Sequence, residues 1–299
     1  MEKQFKKALF VVNPHAGKGL IKNHLLSIVD ILTKAGYLVT TYITQCRGDA
    51  VQVMRERDRD YELVVCSGGD GTLDEIVTGM MQSGFKTKIG YIPAGSTNDF
   101  AKSLKLPSTM KKAAEIVAAD HTYACDVGVF NEDVFVYVAA FGIFTEVSYE
   151  TPQEMKNMLG HTAYLLEGMK QIQNIKSYHM KVTSNDFTIE GDFIYGMITN
   201  SYSIGGIKNI TGKDVALNDG LFEVTLIKRP NNLIELNQVL AALVSDRVDA
   251  ECMYSFKTSS IAFESEEEIA WTLDGEFGGR HTKVELFNKQ EAVDIIVKG

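Results

Sequence analysis

The chain has 299 residues, 45% of them hydrophobic and 23% charged, which is comfortable for two domains and ordinary for a soluble globular protein. A net charge of −9 with no basic run argues against nucleic acid as a partner. Cys46, Cys66, Cys125 and Cys252 make no CxxC pair and no two histidines stand at HxxH or HxxxH spacing, which excludes a disulfide framework and a zinc site from the expected chemistry.

The apolar run that follows MEKQFKK is too short for a signal peptide, and the longest apolar stretch, Val134–Phe144, is too short to span a bilayer. A cytoplasmic protein is expected, without a transmembrane segment, that would meet any lipid from the cytosolic side.

Ala8–Val12 reads as a buried strand and Asn13–Gly19 as the turn after it. A helical pattern then runs through Leu25, Ile28, Val29 and Leu32 to Gly36, followed by a β-rich Tyr37–Thr44 and a helix over Gly48–Arg57. Leu63–Cys66 is apolar without alternation, as in a strand buried on both faces. Gly68, Gly69, Asp70 and Gly71 follow at once, and Thr72 is placed to cap a helix carrying Leu73, Ile76, Val77 and Met80. Lys88–Ile92 is the next strand, then the loop Pro93–Asp99, a helix at Phe100–Leu104 and an amphipathic helix at Lys111–Ala119. Strands alternating with helices imply a parallel sheet with ligand loops at the strands' C-terminal ends.

Near Asp126 the rhythm changes. Cys125–Phe130 and Val134–Phe141, joined by Asn131-Glu132-Asp133, read as a hairpin. A helix over 153–174 carries Met155, Met158 and Met169, a stripe that fits core or, with Phe144 and Tyr149, an acyl-chain channel. Strands at Tyr178–Thr183, Phe187–Thr199 and Leu221–Lys228, a helix at Asn232–Ser245, and strands at Met253–Phe263, Ile269–Leu273, Lys283–Phe287 and Ala292–Val297 complete an antiparallel β half.

Three loops therefore sit where ligand loops belong: Asn13–Gly19, Ser67–Thr72 and Pro93–Asp99. A strand, a glycine turn and a helix N-terminus gather backbone N–H groups and the positive end of the helix dipole into a phosphate cradle. Neither GxxxxGK[ST] nor GxGxxG is satisfied, because the third position of the latter is Asp74. An acid inside an anion cradle repels bare phosphate unless a cation bridges them, so Asp70 suggests a Mg²⁺–nucleotide. Asp99 and Asp126 would supply further hard oxygens, although singly Asp99 reads as a helix cap and Asp126 as a surface acid. Lys18 reads as a phosphate neutraliser or a solvated loop lysine. Asp274-Gly275-Glu276 admits two readings: a tight hairpin turn, or carboxylates able to take a hydroxyl proton in phosphoryl transfer. Asn218-Asp219-Gly220-Leu221 is turn-like, with a structural cation as the alternative.

The ordered set Asn13-Pro14-x-x-Gly17, Gly68-Gly69-Asp70-Gly71-Thr72, Pro93-x-Gly95-Ser96-x-Asn98-Asp99-Phe100 and Asp274-Gly275-Glu276, with Val147–Pro152 and Asn218-Asp219-Gly220, resembles the soluble bacterial diacylglycerol kinase family of lipid kinases over nearly the whole chain. The resemblance implies a doubly wound α/β nucleotide-binding domain over 1–126, rejoined by 288–299, and a C-terminal antiparallel β-sandwich for the lipid substrate over 127–287. It implies ATP phosphates at Asn13, Pro14, His15, Ala16 and Gly17 and at Gly68, Gly69, Asp70, Gly71, Thr72, Leu73 and Asp74, lined also by Thr44 and Ser96. Magnesium would be organised through water by Asp70, Asp99 and Asp126. The base would be Glu276, with Asp274 beside the metal network or itself the base, and a second, structural magnesium would use Asp219 and the carbonyls of Ala216 and Leu221. The product would be phosphatidic acid, made by a peripheral enzyme at the inner membrane face, docked by lysines such as Lys156 and Lys170, and a homodimer follows by resemblance only.

Ala16 stands where a hydroxyl residue is common, Asp74 where asparagine is frequent, and Ser96 where threonine is usual. None removes a group the chemistry requires. The alternatives are a kinase of NAD, which shares the GGDGT turn, a kinase of another hydroxylated lipid such as phosphatidylglycerol, and a non-catalytic nucleotide sensor.

Overall fold

The computed structural model describes residues 5–143, 176–204, 207–208, 215–244 and 251–299. The expected helix over 153–174, the stretch Val147–Pro152 and the lysines Lys156 and Lys170 lie outside them. The chain divides into unit 1, comprising Met1–Val127, Leu217–Asp219 and Lys289–Gly299, and unit 2, comprising Gly128–Ala216 and Gly220–Asn288. No helix among the described residues is long and apolar enough to cross a membrane.

Unit 1 is built on a parallel sheet. Strand β1 (Lys6–Val12) lies between β2 (Tyr37–Ile43) and β3 (Leu63–Gly68), and β3 pairs with β4 (Lys88–Pro93). The chain end closes the other edge, where Ile295 and Ile296 run parallel to Ile89 and Gly90. Every residue of β3 is buried, as its unbroken apolar run requires. Helices α1 (Leu25–Lys34) and α5 (Met110–Ala119) cover one face, where Ile28, Leu32, Ala113 and Val117 pack on Phe10, Leu63 and Val65. Helix α2 (Asp49–Arg57) packs on α3 (Asp70–Ser83), closely enough that a Cβ on Gly79 would stand 2.6 Å from the Val51 carbonyl oxygen. The short α4 (Asp99–Ser103) follows β4.

The expected cap of α3 moves. The helix begins at Asp70 with Gly69 as N-cap, and the Thr72 N–H donates to Gly69 O at 3.1 Å. The Thr72 hydroxyl is thereby released to accept from Asn13 Nδ2 at 3.0 Å.

Unit 2 is antiparallel. Strand β5 (Thr122–Phe130) passes from unit 1 into it and pairs with β6 (Asp133–Phe135). The remaining long strands are β7 (Val138–Gly142), β8 (Tyr178–Ser184), β9 (Thr188–Thr199), β12 (Phe222–Lys228), β13 (Met253–Thr258), β14 (Ser260–Leu273) and β15 (Glu276–Ile296). A two-residue pair, β10 (Ser203–Ile204) and β11 (Ile207–Lys208), and helix α6 (Leu233–Val244) complete it. Strands run in the order β13-β12-β9-β7-β14-β15, and β8 pairs with both β9 and β14. Its core is aromatic: Trp271 lies 5.1 Å from Phe130, 4.8 Å from Phe141 and 5.1 Å from Phe263, ring centre to ring centre.

Several sequence boundaries are corrected here: Met253–Phe263 divides between β13 and β14, and Lys283–Phe287 and all but the last residue of Ala292–Val297 belong to the single β15. Val134–Phe141 is two strands, because the backbone at 136–138 turns its N–H groups to a carboxylate 136–138 residues away rather than to β5. Ile269–Leu273 does not stand alone, since β14 runs on through the acidic stretch from Ser260, with a register shift between Glu264 and Ile269.

Candidate functional site

The three loops of unit 1 meet at the C-terminal edge of its sheet, and backbone contacts hold them there. Asn13 N–H donates to Ser67 O at 2.9 Å and Ala94 N–H to Gly68 O at 2.8 Å, so the loops after β1 and β4 are each tied to the one after β3. Thr44, at the end of β2, donates its N–H to Val12 O at 2.9 Å. Within the first loop, Asn13 Oδ1 accepts from His15 N–H at 3.0 Å, whereas Lys18 is exposed.

Side-chain absence sets the approach. Gly17 has φ +56°, and a Cβ there would lie 2.4 Å from Ala94 O. A Cβ on Gly95 would lie 2.6 Å from Gly69 Cα. Gly68, Gly69 and Gly71 keep negative or extended φ; at Gly68 closeness rather than a left-handed turn excludes a larger residue, since a Cβ would meet the Thr72 side chain at 2.4 Å, whereas a Cβ on Gly71 would meet nothing within 4 Å. Asp70 and Gly71 open α3, where amides have no intrahelical acceptor. Ser67 Oγ is buried there with no hydrogen-bond partner. Ala16, Leu73 and Thr72 are buried, Pro14 and Asp74 are partly buried, and His15 and Ser96 are exposed.

Asp70 links the second loop to the third. Its Oδ2 accepts from Asp99 N–H at 3.0 Å and its Oδ1 from Phe100 N–H at 3.2 Å, so this carboxylate caps α4. Burial pushes the Asp70 carboxyl above its usual range, and the charge of Asp99 adds to that, against the pull of the two amides and Lys102. Asp99 is almost fully buried and meets Lys102 Nζ at 3.3 Å, while Asn98, in the left-handed region, forms the N-cap position. Asp126 is not a surface acid. It is fully buried, donates its N–H to Leu217 O at 2.7 Å and accepts from Glu291 N–H at 2.8 Å. Among the described residues no three His, Cys, Asp or Glu side chains gather as a metal-ligand cluster.

In unit 2, Asp274 and Gly275 form the two-residue turn between β14 and β15, with φ of +49° and +84°. Asp and Gly are suited to this because both tolerate the left-handed region. The turn folds the Asp274 carboxylate inward. Its Oδ2 accepts from Val136 N–H at 2.6 Å, and its Oδ1 from Tyr137 N–H at 3.0 Å and Val138 N–H at 2.8 Å, while Tyr137 Oη donates to the Asp274 carbonyl at 3.1 Å. Glu276, two residues on, is exposed. In the Asp219 segment the neighbouring carbonyls already serve the fold: Leu217 O accepts from Asp126, and Asn218 O from Gln290 Nε2 at 3.1 Å. Ala216 and Leu221 belong to unit 2 and Asp219 to unit 1.

Two organising residues received no role from the sequence. Asn98 Oδ1 accepts from Gly95 N–H at 3.0 Å and its Nδ2 donates to Gly95 O at 2.8 Å, which shapes the third loop. Its position just before Asp99 was the available signal, since asparagine commonly closes such turns on its own backbone. Glu75 accepts from Gly48 N–H at 2.8 Å and Ala50 N–H at 3.2 Å, capping α2 from α3; nothing local in the sequence marks that partner.

Residues 7–130 match the family described as the diacylglycerol kinase catalytic domain. The chain is 31% identical to a diacylglycerol kinase of Bacillus subtilis over 276 residues, covering 92% of this chain and 91% of that one. It is 32% identical to the Staphylococcus haemolyticus diacylglycerol kinase, covering 92% and 83%. A crystal structure of a putative diacylglycerol kinase from Bacillus anthracis superposes with a TM-score of 0.84 at 26% identity, covering 100% of this chain and 97% of that one.

Proposed function

The chain belongs to the diacylglycerol kinase family of lipid kinases, and we propose that it transfers the γ-phosphoryl group of Mg²⁺–ATP to the primary hydroxyl of diacylglycerol, giving phosphatidic acid and ADP. The observation that carries this reading is the meeting of three glycine-bearing loops beside Asp70 and Asp99. The amides of Asp70 and Gly71 and the floor formed by Gly17, Gly69 and Gly95 would receive the phosphates, with Asn13, Thr72, Thr44 and Ser96 around them.

The donor set suits magnesium. Two partly or wholly buried carboxylates stand close enough for the charge of Asp99 to oppose ionisation of Asp70, and a divalent cation relieves that opposition. Asp70, Asp99 and Asp126 would hold it, through water rather than as a direct cluster. When bound, magnesium supplies neutralisation of the charge on the β- and γ-phosphates. A second magnesium at Asp219 with the carbonyls of Ala216 and Leu221 would be structural.

Glu276 would take the proton of the lipid hydroxyl, whose oxygen then attacks the γ-phosphorus as ADP leaves. Asp274 is the poorer base, because both its oxygens already accept backbone amides. The enzyme would work as a peripheral protein on the cytosolic face of the membrane.

The test follows ADP release from purified protein with Mg²⁺–ATP and, separately, dioleoylglycerol micelles, phosphatidylglycerol micelles or NAD. Release with dioleoylglycerol supports the reading; release with NAD alone overturns it. Glu276→Gln should lower kcat at least a thousandfold while Mg²⁺–ATP still binds, and full activity would remove Glu276 as the base.

A further inference from the structure

Alternation along the strands of unit 2 leaves a second sheet face. Phe222 and Val224 of β12, Ile198 of β9, Ala139 of β7 and Trp271 of β14 belong to the aromatic core. Glu223, Thr199, Val138 and Thr272 therefore point the other way. Registers place Lys257 opposite Glu223, Glu223 opposite Thr199, and Thr199 opposite Val138. Val138 O in turn accepts from Asp274 N–H at 2.8 Å, so one row runs across the strands from Lys257 to the Asp274-Gly275-Glu276 turn. One step along, Thr272 lies opposite Ala140, and Ala140 opposite Met197.

This row carries polar groups that the fold does not use. Thr199 is 0% and Thr272 4% exposed, and neither hydroxyl has a hydrogen-bond partner. A buried hydroxyl without a partner costs stability, and valine would present nearly the same shape without that cost. Beside them Glu223, 5% exposed, meets Lys257 Nζ at 3.1 Å. The flanking Val138, Ala140 and Met197 are apolar.

We propose that this row is the seat of the glycerol diester head of an uncharged acceptor lipid, which rests on the kinase reading above. Two strand spacings, about 10 Å, separate Thr199 from the Asp274 end, and Thr272 precedes Asp274 by two residues, about 7 Å. A diacylglycerol with its free hydroxyl at the turn presents two ester carbonyls within that span, each able to accept from one threonine hydroxyl. The Glu223 carboxylate, paired with Lys257 at 3.1 Å, neutralises the cation in the row that would otherwise draw a phosphodiester head group, so the site selects diacylglycerol over anionic lipids that also carry a free hydroxyl.

The experiment compares wild type, Thr199→Val, Thr272→Val and Glu223→Gln with dioleoylglycerol and with phosphatidylglycerol in mixed micelles. Each threonine variant should raise KM for dioleoylglycerol about fivefold, the worth of one hydrogen bond, with kcat and Mg²⁺–ATP affinity held within twofold. Its melting temperature should equal or exceed that of wild type, because a buried unpaired hydroxyl has gone. Glu223→Gln should shift the kcat/KM ratio toward phosphatidylglycerol at least tenfold. Unchanged KM in both threonine variants overturns the proposal, as does a raised KM that comes with a lowered melting temperature. An unshifted ratio in folded Glu223→Gln removes the charge-selection part, and the threonine variants decide the rest if that protein does not fold. Wild type that phosphorylates neither lipid would overturn the kinase reading and this one with it.

Discussion

Asp274 is the residue whose replacement separates a structural clamp from a catalytic base. Its carboxylate accepts three backbone amides at 2.6, 3.0 and 2.8 Å and is 6% exposed. Hydrogen bonds to a charged group contribute about 1.5–3 kcal/mol each, and orphaned buried donors cost about 1–3 kcal/mol each, but neighbouring terms do not add fully. Asp274→Gly keeps the φ of +49° without strain and leaves all three amides unmet, so about 3–5 kcal/mol of stability should be lost. Asp274→Asn also tolerates that backbone, and its oxygen can keep the Tyr137 and Val138 amides. Only the Val136 amide then faces an NH₂ group, and the expected loss is about 1–3 kcal/mol. The assay is urea unfolding followed by fluorescence of Trp271, the single tryptophan, which lies in the unit 2 core three residues before the turn. Asp274→Asn should retain measurable turnover, because in the proposed reaction Glu276, not Asp274, takes the proton. The reasoning fails if Asp274→Asn unfolds within about 0.5 kcal/mol of wild type while kcat falls a thousandfold, since that pattern belongs to a base.

Further outcomes follow from other parts of the molecule. Gly17→Ala must place a methyl 2.4 Å from Ala94 O in the left-handed region, so calorimetry should find Mg²⁺–ATP binding weakened at least tenfold, with about 1–3 kcal/mol of stability lost; unchanged affinity would mean that the first loop does not touch the phosphates. Hydrogen bonds to Asp192 and then Glu190 hold the exposed His179 imidazole above its ordinary pKa. Its contribution to stability is complete below the ordinary value and is lost as pH rises through the raised one; NMR titration should give a midpoint above 6.5 that falls in Asp192→Asn. Of the four thiols only Cys46 is exposed, while burial pushes those of Cys66 and Cys125 up and burial with a bond to Glu235 pushes that of Cys252 to about 11. A disulfide reagent at pH 8 should therefore titrate one thiol fast in the native protein, and four only after unfolding.

What the sequence made legible was what is local. Leu63–Cys66 announces a strand buried on both faces because nothing polar interrupts it, and the glycine-bearing loops announce a close packing of backbones because glycine is the residue that lets them approach. Long-range partners were illegible. The break between Phe135 and Val138 follows from a carboxylate 137 residues away from Tyr137, and no periodicity within Val134–Phe141 encodes it. Asp126 reads as a surface acid in the sequence because its neighbours in the chain do not include Glu291, whose N–H reaches its side chain 165 residues later.

The two readings of Asp274-Gly275-Glu276, turn or catalytic segment, do not exclude each other. A tight turn with both residues at positive φ is what folds the first carboxylate back onto the amides of Val136, Tyr137 and Val138, which lead into β7, while leaving the second, on the opposite side of the turn, exposed. Had the turn been longer, the inward carboxylate could not have reached three consecutive amides, and the outward one would have gained freedom that weakens it as a positioned base. The same hydrogen bonds that fix Asp274 therefore hold the backbone from which Glu276 projects. A Gly-Gly insertion after Gly275 should then lower kcat well before it lowers the melting temperature of unit 1, and an insertion variant with wild-type kcat would show that Glu276 needs no such anchoring.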